Sequence, residues 1–364
     1  MTLDELFEMI PTANNHFFQF LSNYRNTGKK IFLFGAGFCG HVFLRLMEQF
    51  DLDIEGIIDN YSDSLDGHPV QKLAEVLQKY NVDDCIFIIS AFRPLEEILD
   101  QLLKVCKEEQ IFVFAMTRYG VPENLPEPTK EYLLSHRDEI EEVYNLLADQ
   151  QSKDVLLHML LGHVTASYGE YESIWTGDAY YAPELITFHE NEVMVELGSN
   201  NGDTLLDFIR RCPDFKKSYC FEPDDICVKE LHKIIQPYKS RIVIIPKVAW
   251  NGEGWVSFAS ENGNGSSRVD EQKGDVRLET ASVDGVVEED ITYMKMDIEG
   301  AEMMALQGAK EQIKRNKPRL AICVYHKNED IVDIPRYILS LRPDYRLYLR
   351  HEGRDDTDTV LYAI

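Results

Sequence analysis

The chain has 364 residues, of which 44% are hydrophobic and 27% are charged, as in ordinary globular proteins. This composition excludes a mainly disordered or fibrous chain, and the length favours two domains of about 150 residues each. The 63 acidic residues outnumber the 37 basic residues, giving a net charge of −26 that argues against a nucleic-acid partner. No uninterrupted apolar run approaches the ~18 residues of a membrane span, so we expect no membrane partner either.

The amino terminus and the cysteines predict a cytoplasmic protein. The segment MTLDELFEMI is acidic and lacks the basic stretch of a secretory signal. The seven cysteines include no C-x-x-C pair and fall mostly in apolar runs, so we expect reduced core residues. The sequence leaves a homo-oligomer open.

The first predicted domain covers residues 1–120, because strands and helices alternate within it. The expected strands are KKIFLFGAG, IEGIIDN, DCIFIIS and IFVFA. Near-continuous apolar strands separated by helices are typical of βαβ units, which predicts a small parallel sheet covered on both faces. The next segment, 121–190, has 3 basic and 14 acidic residues and opens with VPENLPEP. Its apolar residues then recur at helical spacing, so we predict an acidic helical connector.

The alternation begins again at residue 191 and predicts a second domain over 191–364. Its expected strands are NEVMVELG, KKSYCFEP, RIVIIPKVAW, ITYMKMD and RLAICVY. The Gly- and Ser-rich segment NGEGWVSFASENGNGSSRV predicts a hairpin and a loop, and the tail predicts a final antiparallel pair. The predicted fold class is therefore α/β, with two Rossmann-like domains joined by a helical connector.

The strongest local signal, ELGSNNGD at 196–203, lies between the first strand and the first helix of the second domain. Glycines let the backbone turn tightly beside a ligand, and the following helix offers free N–H groups to an anion. Glu222 closes the next strand, where a carboxylate can accept both hydroxyls of a ribose. Such a site suits a nucleoside with an anionic or zwitterionic tail. The alternative is a βα turn that needs glycine only for packing.

This spacing resembles the first motif of S-adenosylmethionine-dependent methyltransferases, E/D-x-G-x-G-x-G, with Asn200 in place of the middle glycine. Asparagine tolerates positive φ well, so we expect the loop geometry to be kept. With CFEPD, MKMDIEGAEMMALQGA and LAICVYHK, the segment 180–364 resembles the FkbM family of methyltransferases. That family consists mostly of O-methyltransferases of sugar, polyketide and glycan pathways, and usually has Asp where this chain has Glu196.

The resemblance implies an enzyme that takes S-adenosyl-L-methionine as cofactor and methylates a hydroxyl of a sugar, glycan or related secondary metabolite. It also implies a C-terminal sheet of the class I methyltransferase type with antiparallel end strands. The residues that it places around the cofactor are Glu196, Gly198, Ser199, Asn200, Asn201, Gly202, Thr204, Glu222 and Pro223.

The same resemblance places Asp297, Glu299 and the run Tyr325-His326-Lys327 towards the acceptor. Methyl transfer is an in-line displacement, for which the protein aligns the reactants, excludes water and removes the acceptor proton. His326 or Asp297 is the predicted base. The alternative for His326 is a surface residue that caps the end of a strand. The alternative for Asp297 is a structural hydrogen-bond acceptor. The two residues are also possible metal ligands, but two ligands are too few, so we predict no metal site. Tyr180 and Tyr181 are expected to pack rather than to form a lid.

A second glycine motif occurs in the first domain, where Gly35, Gly37 and Gly40 match G-x-G-x-x-G and Asp59 follows the next strand. The pattern predicts a second site, for a nucleotide or a nucleotide-sugar. The equal alternative is a domain that binds no ligand. Two rival functions follow: a nicotinamide-dependent nucleotide-sugar dehydrogenase or epimerase, and a non-catalytic nucleotide-binding module. No Tyr has a Lys four residues later, which argues against a short-chain dehydrogenase.

Overall fold

The computed structural model describes residues 1–13, 23–24, 26–49, 53–91, 95–113, 129–177, 180–259, 268–269 and 276–364. These residues divide into two compact units. Unit 1 consists of residues 1–144, 153–177 and 351–358, and unit 2 of residues 145–152, 178–350 and 359–364. The segment predicted as a connector is therefore shared between the units.

Unit 1 contains the predicted parallel sheet. Its strands are β1 (Lys30–Phe34), β2 (Gly56–Ile58), β3 (Ser64–Leu65), β4 (His68–Gln71), β5 (Cys85–Ile89) and β6 (Ile111–Val113), in the order β3-β4-β2-β1-β5-β6. All neighbours are parallel except β3 and β4. Every residue of β5 is buried, because helices cover both faces of the sheet. Among the described residues up to 172, the α-helices are Leu3–Met9, Phe38–Gln49, Leu73–Lys79, Leu95–Leu102, Thr129–Ser135, Arg137–Leu146, Gln150–Thr165 and Tyr168–Glu172.

The main sheet of unit 2 has seven strands. They are β7 (Val193–Leu197), β8 (Lys217–Phe221), β9 (Ile242–Ile245), β14 (Tyr293–Met296), β15 (Arg319–Cys323), β16 (Leu347–His351) and β17 (Thr359–Ala363). Their order is β16-β17-β15-β14-β7-β8-β9, and β17 runs antiparallel to β15. The helices around this sheet are Asp203–Arg211, Asp225–Ile234, Val283–Val286, Glu302–Gln307, Lys310–Asn316 and Asp330–Leu341.

The excursion predicted as a hairpin and loop forms part of a second, smaller sheet. Its strands are β10 (Val248–Ala249), β11 (Gly254–Ala259), β12 (Arg268–Val269) and β13 (Val276–Ala281), in the order β10-β13-β11-β12. The run RIVIIPKVAW, predicted as one strand, is divided between β9 and β10. Pro246 separates them because proline has no backbone N–H to donate to a ladder.

The central strands of the main sheet fix the position of the site. The chain leaves β7 towards β8 on one side, and later adds β14 on the other side of β7. The strand order therefore reverses between β7 and β14, and ligands of open α/β sheets bind at the carboxyl end of such a switch point. Among the described residues, no helix combines the length and the apolar character needed to cross a bilayer.

Candidate active site

The loop after β7 has the backbone conformation that its glycines predict. Gly198, Asn200 and Gly202 have φ values of 81°, 41° and 81°, so the expectation that Asn200 adopts positive φ is confirmed. A Cβ on Gly198 would lie 1.9 Å from the backbone oxygen of Asp297, and one on Gly202 would lie 2.8 Å from Leu231. Both glycines are therefore needed for packing as well as for φ. The loop runs directly into the helix Asp203–Arg211.

Glu222 connects the end of β8 to this loop. Its Oε2 accepts the backbone N–H of Asn200 at 2.7 Å, and its Oε1 accepts that of Asp224 at 2.9 Å. Burial raises the pKa of the carboxyl group, although these two N–H donors oppose the shift. The neighbouring Pro223 is half-buried, whereas Asn201 on the loop is exposed. A carboxylate offers about four lone-pair directions, so Glu222 keeps acceptor capacity for a ligand's hydroxyls.

Glu196 lies beneath the loop and is fully buried. The hydroxyl of Thr204 donates a hydrogen bond to its Oε1. Burial raises the pKa of Glu196, while the charge of Lys295 opposes that shift. Its Oε2 and Oγ of the buried Ser199 make no hydrogen bond of good geometry with the described residues, although Ser199 lies close enough to lower the pKa of Glu196. Glu196 thus retains acceptor capacity under the glycine loop.

Lys295 on β14 is the residue that sequence reasoning missed. It is 3% exposed, and its Nζ donates to the backbone oxygen of Gly198 at 2.9 Å. The same Nζ lies 3.9 Å from Oδ2 of Asp297 and 4.7 Å from the ring centroid of Tyr180. The buried ammonium of Lys295 therefore contacts the glycine loop and lies close to Asp297, which is predicted to be catalytic. The sequence does contain a signal for Lys295. It is the Lys of the motif K-x-D-x-E, and it is a charged residue on an otherwise apolar strand.

Asp297 lies directly after β14, at the switch point. Its carboxylate accepts hydrogen bonds from the hydroxyls of Tyr180 at 2.9 Å and Tyr325 at 3.3 Å, and its side chain is 25% exposed. Burial raises the pKa of Asp297, but Lys295 and His326 outweigh burial and hold it below the usual value. Asp297 is therefore an ionised carboxylate at neutral pH. Tyr180 contacts the site itself, with a φ of 64°, so it does more than pack.

His326 follows β15 and is surrounded by carboxylates. Its Nε2 lies 3.5 Å from Oδ1 of Asp297 and 3.6 Å from Oε2 of Glu299, and its Nδ1 lies 3.0 Å from Oε1 of Glu302. Burial lowers the pKa of the imidazole, but the three carboxylates raise it to about 10. A ring with so high a pKa is an imidazolium at neutral pH. Which of His326 and Asp297 acts as the base stays a prediction.

In unit 1, two of the glycines of the N-terminal motif are closely packed, and the carboxylate of Asp59 already accepts hydrogen bonds from the backbone. Oδ2 of Asp59 accepts the N–H of Ala36, and its Oδ1 accepts those of Tyr61 and Ser62, each at 2.8 Å. Although burial raises it, these N–H donors hold the pKa of Asp59 below its usual value. A Cβ on Gly40 would lie 2.3 Å from the backbone oxygen of Gly35, and one on Gly35 would lie 2.7 Å from the backbone oxygen of Ser90, so both positions need glycine for close packing. Space around Gly37 is open. The second nucleotide site stays a prediction.

Comparison with known proteins agrees with this geometry. The profile of the methyltransferase FkbM domain matches residues 196–353, a range that contains the glycine loop, Glu222 and the Asp297 cluster. The C-terminal segment is an FkbM methyltransferase domain. Its methyl donor is S-adenosylmethionine. No curated protein matches the chain.

Two solved structures show how far the likeness extends. The methyltransferase FkbM from Methylobacillus flagellatus is 22% identical, with a TM-score of 0.73 over 99% of this chain and 98% of that chain. The fold of the entire chain, not only of the FkbM domain, is therefore shared with that protein. Fibrillarin from Aeropyrum pernix, solved with natively bound S-adenosylmethionine, is 11% identical over 49% of this chain and 69% of that chain, with a TM-score of 0.32.

The residues around the glycine loop fit S-adenosylmethionine. Oε2 of Glu196, which makes no hydrogen bond of good geometry with the described residues, is an acceptor suited to the ammonium of the methionine part. Glu222 has acceptor capacity for the ribose hydroxyls at the tip of the adjacent strand. Ile226, at the start of the helix Asp225–Ile234 and four residues after Glu222, is an apolar side chain that is 64% exposed, so it offers a surface on which an adenine ring could pack.

Proposed function

We propose that the FkbM domain transfers a methyl group to a hydroxyl oxygen of a sugar, a glycan or a related secondary metabolite. The observation that carries this proposal is the position of Asp297. Its partly exposed carboxylate lies at the switch point beside Gly198 and is held there by two tyrosine hydroxyls and by Lys295. A fixed carboxylate next to the cofactor loop is suited to bind and deprotonate a hydroxyl group.

The chemistry that S-adenosylmethionine supplies when bound is an electrophilic methyl group on a sulfonium. The carboxylate of Asp297 would accept the hydrogen bond of the acceptor hydroxyl and so orient its oxygen. Glu299, whose side chain is 36% exposed, offers a second carboxylate on the same loop. Positioning of this kind accounts for much of the rate enhancement in reactions between two bound substrates.

His326 acts as a positioning residue in this proposal. As an imidazolium, it attracts Asp297 and Glu299 through Nε2 and the buried Glu302 through Nδ1. Its charge also keeps Asp297 ionised, which a hydroxyl-binding acceptor requires. In the rival dehydrogenase function, Asp59 would be the ribose acceptor; it already accepts three backbone N–H groups, against two for Glu222, which leaves it less capacity for a ligand.

The test is methyl transfer by the purified full-length chain. S-adenosylmethionine with an isotope-labelled methyl group is supplied with a panel of sugars, glycans and hydroxylated secondary metabolites. We expect S-adenosylhomocysteine and one labelled methyl ether, with loss of both in Asp297→Asn and retention in the control Asp333→Asn, which alters an exposed carboxylate. Label found only on nitrogen or carbon, or formation of a reduced nicotinamide instead, would refute the proposal.

We further propose that the protein acts in the cytoplasm on a small-molecule acceptor. All seven cysteines are free, which suits a reducing compartment. Fractionation of the source cells, followed by immunodetection of the chain, tests this location; recovery from a secreted fraction would contradict it.

A further inference from the structure

Glu302 is the buried member of the motif D-x-E-x-x-E at 297–302. It begins the helix Glu302–Gln307, and its side chain is fully buried. Carboxylates are almost never fully buried unless they are paired, because an ionised carboxylate loses its hydration there. The side chains of Asp297 and Glu299 are 25% and 36% exposed, so Glu302 alone of the three is withdrawn from solvent. A buried carboxylate beside an active site calls for a role.

One oxygen of Glu302 contacts two parts of the active site. Its Oε1 accepts the backbone N–H of Ile298 at 3.0 Å and lies 3.0 Å from Nδ1 of His326. Ile298 lies between Asp297 and Glu299, the two carboxylates that face the crevice. Glu299 has a φ of 56°, a conformation that costs free energy in a non-glycine residue and persists only where the surroundings hold it. The hydrogen bond from Ile298 to Glu302 helps to hold this turn.

The contact with Glu302 also sets the orientation of the imidazole ring. With Nδ1 of His326 against Glu302, its Nε2 lies 3.5 Å from Oδ1 of Asp297 and 3.6 Å from Oε2 of Glu299. The ring is 2% exposed and packs against the ring of Tyr325, with the two centroids 4.1 Å apart. Turning the ring over would exchange each nitrogen for a carbon. Glu302 therefore favours the orientation in which Nε2 faces the two carboxylates of the crevice.

The charges around the ring make Glu302 the main partner of the imidazolium. Burial lowers the pKa of His326, and among the three carboxylates that raise it, Glu302 contributes most. Burial and the charge of Glu302 raise the pKa of the nearby Asp330, which favours the neutral form of that carboxyl group. The other titratable groups beside the ring or beside its carboxylates are Asp297, Glu299, Lys295, Tyr180, Tyr325 and Lys327.

We propose that Glu302 is a positioning residue for methyl transfer that acts through His326. It holds the imidazolium against Asp297 and Glu299, and it holds the turn on which these two carboxylates lie. The inference rests on the proposed function, in which Asp297 binds the hydroxyl of the acceptor. Like the buried carboxylate of a catalytic triad, Glu302 orients an imidazole without touching the substrate. Here the imidazole supports a carboxylate rather than a nucleophile.

The substitution Glu302→Gln separates the charge of this residue from its hydrogen bond. The amide oxygen can still accept the N–H of Ile298, and the amide nitrogen then faces Nδ1 of His326, which favours the neutral ring. NMR of the full-length chain with isotope-labelled histidine follows the charge of the ring without any acceptor, and His326→Gln identifies the signal by removing it. We expect a charged ring up to about pH 9 in the parent. In Glu302→Gln the pKa of His326 should fall by about 1–3.

The kinetic readout is kcat relative to the parent, measured at several pH values with S-adenosylmethionine and acceptor in excess. In Glu302→Gln this ratio should fall about tenfold from one pH unit below the measured pKa of His326 to one unit above it, because the charged fraction of the ring falls tenfold over that range. Glu302→Asp keeps the charge, so its ratio should not depend on pH there. The matched control is Glu329→Gln, which alters an exposed carboxylate and should behave like the parent.

The outcomes separate this inference from the proposed function. A parent ring that titrates near pH 6.5, or a pKa of His326 that is the same in Glu302→Gln as in the parent, overturns the inference. A kcat ratio that is equally low at every pH overturns it too, since that result indicates structural support alone. So does a ratio that rises with pH, since neutral His326 would then be the base. A lowered pKa of His326 without methyl transfer by the parent keeps the pairing of Glu302 with His326 and refutes the function.

Discussion

Replacing Lys295 by methionine removes the buried charge that links the two halves of the active site, while keeping a side chain of similar length. Nζ of Lys295 now donates to Gly198 and lies 3.9 Å from Asp297, and its charge also acts on Glu196. The variant leaves two carboxylates without this cation and the oxygen of Gly198 without its donor. Removing one partner of a buried ion pair costs about 3–5 kcal/mol.

That cost is large enough to measure as a change in melting temperature. For a folding unit of this size, each kcal/mol lowers the melting temperature by about 2–4 °C, so Lys295→Met should melt roughly 6–20 °C lower. Scanning calorimetry resolves the transition of the FkbM domain, which is the one that S-adenosylmethionine shifts upwards. The control is Lys247→Met, which breaks an exposed pair with Glu279 and should leave the melting temperature unchanged.

The pH dependence gives a second test of the same reasoning. The pKa of Asp297 is held below its usual value, so its stabilising contribution is present at neutral pH and is lost as the pH falls through the folded pKa. Lys295→Met lacks that contribution, so the difference from the parent should hold down to about pH 4, the ordinary pKa of an aspartate, and narrow as the pH falls below it. Equal melting temperatures at neutral pH, or a difference that does not depend on pH, would refute the assignment of Lys295.

Other substitutions test the remaining parts of the site. Glu222→Ala should weaken S-adenosylmethionine binding by about 1–3 kcal/mol, since it removes the predicted ribose acceptor and the partner of a loop N–H; calorimetric affinity equal to the parent would show that another carboxylate is involved. Asp297→Asn should lower kcat by about 10²–10⁴ with little change in cofactor affinity, and equal losses in both would indicate a purely structural role. Asn200→Gly should keep the melting temperature, whereas Asn200→Val should lower the free energy of unfolding by about 1–2 kcal/mol because of the positive φ. Gly198→Ala should abolish cofactor binding in a titration, because its Cβ would lie 1.9 Å from a backbone oxygen.

The glycine loop shows how much local sequence can predict. Positive φ at Gly198, Asn200 and Gly202 follows from residue type and from their place between a strand and a helix, so the loop was predictable without a tertiary structure. The parallel sheets were predictable for a similar reason, because apolar strands that alternate with helices have few other ways to bury both faces. In the small sheet, the antiparallel pair β11–β12 agrees with the predicted hairpin, whereas the pairing of β10 with β13 was missed, since these strands pair across a long excursion that no short pattern records.

The sequence by itself determined the order of elements, the cofactor loop and the carboxylates that follow β8 and β14, because these depend on neighbours in the chain. Only the tertiary structure decided which groups those carboxylates meet. Lys295, Glu196 and Gly198 meet because β7 and β14 lie side by side, and His326 meets Glu302 because β15 lies next to β14. Charges brought together in this way set each other's pKa values, and such shifts depend on distances that a sequence does not contain.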